Sequence, residues 1–265
     1  MGKTIGVLSL KGGVGKTSIV SSLGVAIASF GKKVLLVDAN FSAPNLGLHH
    51  DIIEPKNSFN HVMSGDISVK DAIHELDYFD ILPSSVFIHK QISPLKLKDK
   101  LSPLKRIYDY IIIDSSPSLN EETLAAMLAS DELLIATTPD HPTMSMTLKA
   151  IKLANQRGTK IDGLILNKVH GKKFELNIRD IENSVNVPVL AVIPYDLNVL
   201  KALSEFKSSN THKPNSAGSI EFKKLAATLI GEKYKPKGIK NLFFDKITPR
   251  RQDINRTIFY NNVFN

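Results

Sequence analysis

Seven short apolar runs without polar alternation constrain the fold of this chain more than any other feature: residues 4–9, 33–38, 79–82, 108–114, 132–138, 163–167 and 187–193. A strand with one wet face alternates apolar and polar residues, whereas a strand buried on both faces reads as continuous Val, Ile and Leu. Between most of these runs lie helical patterns. Residues 18–30 are small and apolar, and Gly31 is placed to end that helix as a C-terminal cap. Ser68 and Asp71 have capping-box spacing ahead of Ala72 and Ile73, with Asp where Glu or Gln is usual. Asn120, Glu121 and Glu122 place an N-cap and two acids at the start of a helix ending near Ser130. Residues 143–156, 177–185, 199–206 and 220–230 complete the set. The alternation predicts an α/β fold, a doubly wound, mostly parallel sheet flanked by helices. One such domain is expected over 1–231, and 265 residues at 42% hydrophobic suffice for its core. No internal repeat is evident.

Composition excludes several classes of chemistry. There are no cysteines, so disulfides, thiolate zinc sites and Cys-ligated iron–sulfur clusters are ruled out, and a reducing cytoplasm suits the chain. No apolar run approaches the roughly 18 residues of a transmembrane helix, and the N-terminus does not read as a signal peptide. The expectation is a soluble, cytoplasmic protein, at most peripheral on the inner face of the cell membrane. The formal net charge of +8 is uneven. Residues 90–106 hold six basic residues against Asp99, and residues 232–265 hold eight against Glu232, Asp245 and Asp253. Each patch is therefore net +5, which leaves about −2 for the rest. Such patches suit nucleic acid or anionic lipid, and equally an ordinary solvated surface.

Between the first apolar run and the first helix stands Lys11-Gly12-Gly13-Val14-Gly15-Lys16-Thr17. The strict phosphate-loop pattern is G-x-x-x-x-G-K-[ST] between a strand and a helix, and its first glycine would fall at Leu10. The physics survives that departure. Three glycines let backbone N–H groups converge on phosphate oxygens, and the following helix, from Ser18, adds its positive end. Lys16 is expected to neutralise the β- and γ-phosphates, and the Thr17 hydroxyl to ligate Mg²⁺.

With its extra lysine, this loop resembles the K-G-G-x-G-K-[ST] loop of the MinD/ParA family of deviant Walker A ATPases. The chain resembles MinD-like members over residues 1 to about 230. Asp38-Ala39-Asn40, then Pro44-Asn45-Leu46-Gly47, resembles switch I. Residues 111–117, with Asp114, resemble the Walker B strand and switch II. Residues 137–140 resemble the family's segment after the next strand. Asn167 looks like the adenine-side asparagine, and Pro194 to Asp196 like a second base-contacting loop. All fall at the carboxyl ends of expected strands, where doubly wound sheets place ligands. The resemblance implies ATP or ADP with Mg²⁺, held through Thr17, Asp114 and Asp38. It also implies a homodimer around ATP in which Lys11 reaches the partner subunit's phosphates. The usual D-x-D of switch I reads D-x-N here. An amide orients water but cannot act as a base, so turnover is expected to be slow without a partner. Asp38 is then the carboxylate expected near metal and water.

The resemblance further implies a protein activator and a role in spatial organisation, in cell division or positioning. A ParA-like DNA-partitioning ATPase is the alternative, with non-specific DNA bound by residues 90–106. A nucleotide-binding scaffold with little hydrolysis is a second. Residues 233–238 read as a basic linker. In the tail, Ile239, Leu242, Phe243 and Ile247 would share a helical face bordered by Lys240 and Lys246. Ile254 and Ile258 follow four apart. This pattern suits an anionic membrane, and also a tail docked on its own domain or on a partner. His49 and His50 are adjacent, which seldom serves one metal ion.

Overall fold

The computed structural model describes residues 1–88, 90–234 and 250–264. Eight strands form one sheet: β1 (Lys3–Leu8), β2 (Val34–Asp38), β3 (His74–Glu75), β4 (Asp80–Leu82), β5 (Tyr110–Asp114), β6 (Glu132–Thr137), β7 (Lys160–Val169) and β8 (Val189–Pro194). Their order is β3-β4-β2-β5-β1-β6-β7-β8. Every pairing is parallel except β3 with β4. The seven apolar runs are thus the parallel strands. The antiparallel β3 is a two-residue edge with no apolar run to announce it.

The continuous apolar character follows from the two-sided core. Leu35, Val37, Ile111 and Ile113 belong to one buried cluster, and Val34, Leu36 and Ile112 to the other. Each strand feeds both faces, so it has no polar side to show. One face is covered by α4 (Glu121–Ala129), α5 (His141–Gln156) and α6 (Ile178–Val185), the other by α1 (Lys16–Ala28) and α9 (Ala217–Ile230). Shorter helices are α2 (Phe59–Ser64), α3 (Leu97–Leu101), α7 (Leu197–Ser204) and α8 (Ser209–His212).

Caps set most helix starts. Asn120 accepts from the Thr123 amide at the start of α4, Asp140 from the Thr143 amide at α5, and Asn177 from the Asp180 amide at α6. Gly231 ends α9 in the left-handed conformation. The Ser68–Asp71 capping box forms as read, yet it encloses only a 3₁₀ turn over Val69–Ala72. Ile73 is already extended, leading into β3, so no helix propagates.

The end of the chain contributes α10 (Arg251–Phe264), which packs on β8 and α9. Arg256 is buried, donating to Leu190 O and to Glu221 Oε1 at 2.8 Å. Asn255 donates to Val189 O, and Arg251 pairs with Glu182. Carbonyls of the edge strand β8 are thereby taken up by side chains, which blunts an open sheet edge. Of the readings left open for the tail, docking on its own domain holds for α10. The amphipathic pattern at 239–247 lies outside the described residues.

A candidate nucleotide site at the carboxyl ends of the strands

The glycine-rich loop joins β1 to α1, as read. Gly13 (φ 78°) and Gly15 (φ 92°) are left-handed, a conformation that side chains with a Cβ rarely adopt. A Cβ built on Gly12 or Gly13 would meet nothing within 4 Å, so the outer side of the loop is open to a ligand. Its inner side is braced from β7. Asn167 Nδ2 donates to Val14 O at 2.7 Å, and Lys168 Nζ donates to Gly13 O at 2.7 Å. Lys168 went unnoticed in sequence as a support of this loop, because the contact spans 155 residues.

Beside the loop stand three buried charges. Lys16 opens α1 and is buried; burial lowers its pKa, and the Asp114 charge partly offsets that. Asp38 and Asp114 end neighbouring strands and are paired in register. Burial, then repulsion from Asp114, raises the Asp38 pKa well above the carboxylate range, opposed by hydrogen bonds from three amides. Those amides belong to Asn40 (3.1 Å), Asn45 (3.0 Å) and Leu46 (2.9 Å). Asp38 therefore braces the loop over 40–46 with its oxygens already engaged. Asp114 differs. Burial pushes it up to about 6 against a hydrogen bond with Thr17 and the Lys16 charge, and its Oδ1 is buried without a partner. A buried carboxylate oxygen without a donor is costly unless a cation or ordered water meets it. The Thr17 hydroxyl and this orphaned oxygen, side by side, are the donor set that a hard cation such as Mg²⁺ prefers.

The other predicted residues gather at the same end. Asn40 is buried, donating Nδ2 to Ala43 O, while its Oδ1 has no partner. Gly15, Ser18, Asn167, Pro194, Tyr195 and Asp196 line a cleft of about 130 Å³ beside the loop. Narrow and mostly apolar, the cleft suits a planar base more than a second polar head. Lys11 goes elsewhere: its ammonium donates to Thr143 Oγ1 at 2.7 Å and meets Asp140 Oδ1 at 3.4 Å, at the start of α5. Sequence reasoning placed 137–140 at the site without seeing that Asp140 and Thr143 hold Lys11. His49 and His50 pack instead of ligating: His50 Nε2 lies 3.0 Å from Ser21 Oγ, and its ring meets Phe79 edge-on. Burial drops the pKa of each to about 4. Among the described residues, no helix is long and apolar enough to cross a membrane.

A glycine-rich strand–loop–helix turn, a buried lysine in it and an acid ending the neighbouring strand define a P-loop nucleotide-binding protein. Comparison with known proteins narrows the class. Residues 2–161 match the AAA domain family. An uncharacterized ATP-binding protein of Methanocaldococcus jannaschii is 35% identical, over 88% of this chain and 90% of its own length. The septum site-determining protein MinD of Thermotoga maritima is 34% identical, over 88% and 89%. The solved structure of Pyrococcus horikoshii MinD with Mg-ADP superposes with a TM-score of 0.81 at 30% identity, covering 86% of this chain and 96% of that one. The chain belongs to the MinD/ParA family of P-loop ATPases, and its site fits ATP or ADP with Mg²⁺.

Proposed function

We propose that the chain is an ATP-driven switch: it closes into a homodimer around ATP, hydrolyses it slowly, and engages a surface and a protein activator while dimeric. Lys16 and the loop amides hold the phosphates, Thr17 and Asp114 hold Mg²⁺, and Asn167, Pro194 and Asp196 border the base. Asp38 acts by fixing switch I. By analogy with the MinD relatives, the role is spatial organisation in cell division or positioning, at the inner surface of the cell membrane.

Lys11 carries this reading. Lys16 is committed to the interior, whereas Lys11 is 39% exposed and rests on a half-exposed acid of its own subunit. Exposed pairs of this kind are worth about 0–1 kcal/mol, so the latch opens readily and frees a cation at the rim of the loop. A second subunit's phosphates are the partner that suits it. Lys11→Ala should leave Mg·ATP affinity of the monomer nearly intact and abolish ATP-dependent dimerisation, read by light scattering at matched concentration. A variant that dimerises like the wild type would reduce Lys11 to an ordinary loop residue.

The surface is argued from residues 239–247, whose apolar and basic pattern suits anionic lipid. Because α10 is docked, deleting the whole tail would strip buried partners from Glu221 and Glu182. The cleaner test is Phe243→Ser with Phe244→Ser, which should abolish ATP-dependent co-sedimentation with anionic vesicles. The DNA reading has its own support, since Lys96 and Lys98 are exposed while Lys90 and Lys105 are paired with Asp66 and Asp131. Salt-sensitive duplex binding without vesicle binding would favour it. Mg·ATP affinity with no turnover would leave the scaffold reading, which the amide at position 40 motivates.

A further inference from the structure

Switch I and the helix after switch II are joined by a contact that neither segment reveals alone. Ser42, two residues beyond Asn40, donates its hydroxyl to Glu122 Oε1 across 80 positions of sequence. Glu122 is the second residue of α4, directly after Glu121. An acid in a first helical turn usually answers the helix dipole from solvent, and Glu121 does so, being exposed. Glu122 is different: it is buried, and its second oxygen, Oε2, has no partner. Leaving a buried carboxylate oxygen unmet is costly, and surface dipole compensation does not require it. On the Ser42 side of this contact lies a second buried oxygen without a partner, Asn40 Oδ1. One loop thus presents an amide where a carboxylate is expected, and a carboxylate reaches that loop from the neighbouring helix.

We propose that Glu122 is a positioning residue for ATP hydrolysis, fixing the Asn40 loop through Ser42 and contributing the second carboxylate that position 40 lacks. The division of labour is simple. The amide of Asn40 orients a water by hydrogen bonding but adds no charge. Glu122 adds the charge from the next element, and Ser42 ties its carboxylate to the loop. The inference rests on the hydrolysing reading above and adds to it the residue that makes an amide at position 40 tolerable.

The test compares Glu122→Gln, Ser42→Ala, and Glu122→Gln combined with Asn40→Asp, against wild type. Gln keeps an acceptor for Ser42 and nearly the same shape, so it removes charge alone. Three readouts are taken: single-turnover ATP hydrolysis, calorimetric Mg·ATP affinity, and amide hydrogen exchange over 40–46 in nucleotide-free protein. Glu122→Gln should slow single turnover by about tenfold or more while affinity stays within about twofold. Its exchange over 40–46 should match wild type, because the loop remains tied. Ser42→Ala should speed that exchange, and Asn40→Asp should restore turnover in the Glu122→Gln background. Turnover of Glu122→Gln at the wild-type rate, absence of rescue, or unchanged exchange in Ser42→Ala would each overturn the proposal. A wild type that binds Mg·ATP and never turns it over defeats the hydrolysing reading instead.

Discussion

At the amino end of the sheet, Glu132 on β6 and Asp162 on β7 are neighbours, and lysines meet them. Lys3 pairs with Glu132, and Lys160 lies 2.7 Å from Glu132 and 3.0 Å from Asp162. Burial works against Glu132, yet the hydrogen bond with Asp162 and the two lysines hold it down to about 2. Burial and that same neighbour push Asp162 up to about 7, so the two acids titrate together. At the carboxyl end, Asp38 and Asp114 are also neighbours, paired in register, but the Lys16 charge is the one that favours ionised Asp114, and Asp114 Oδ1 has no hydrogen-bond partner. Glu132 Oε2 and both Asp162 oxygens also lack hydrogen-bond partners, so the two ends differ in their counter-ions: Lys3 and Lys160 form ion pairs with the first two acids, whereas a single lysine, Lys16, acts on Asp114. A sheet end whose acids are met by lysines of the same chain is structural, and one with a single lysine for two buried acids is where a cation belongs.

The comparison breaks most easily at Lys16. Lys16→Ala should weaken Mg·ATP binding by about a hundredfold, or about 2.7 kcal/mol, through loss of a charge-assisted phosphate contact. Unchanged affinity by calorimetry would remove the site from this end. Next come the histidines near switch I. With folded pKa values of about 4 against 6.5 unfolded, His49 and His50 bind fewer protons folded than unfolded between those limits. Their contribution is fully present above pH 6.5 and lost as pH falls toward 4, by roughly 2 kcal/mol each between pH 7 and 5. Chemical denaturation of His49→Gln/His50→Gln should show a flatter pH profile than wild type across that window. The smallest effects are opposite in sign. Without Mg²⁺, Asp114→Asn should raise stability by about 1 kcal/mol, because it removes repulsion and an unmet buried charge. Lys160→Ala should lower it by about 1 kcal/mol, because it strips Glu132 and Asp162 of a shared cation. Equal signs would erase the distinction between the two ends.

What was legible in the sequence follows the range of the interaction. The parallel strands were readable because two-sided burial leaves a local mark. The glycine loop was readable because its glycines, Lys16 and Thr17 are contiguous. Short α2 and α3 and the two-residue β3 leave too brief a pattern to stand out. The docking of α10 depends on Arg256 meeting Glu221, 35 positions away, and nothing near Arg256 announces a buried partner. Ile254 and Ile258, whose spacing suits a membrane or a docked tail equally, lie on the exposed side of α10, so the packed face lies elsewhere. Asp38 is legible as a carboxylate near metal and water, but not its three amide donors, which come from the loop it holds. Glu122 was read as a dipole partner, since its contact with Ser42 exists only once the sheet has brought two strand ends together.

The most direct measurement is a pair of calorimetric titrations of ATP into wild type and Asp114→Asn, each with Mg²⁺ and with a chelator. If Asp114 Oδ1 awaits the cation, wild type should bind ATP at least tenfold more tightly with Mg²⁺, about 1.4 kcal/mol, and the variant should bind equally in both conditions. An Asp114→Asn variant that keeps the full wild-type gain from Mg²⁺ would contradict the account.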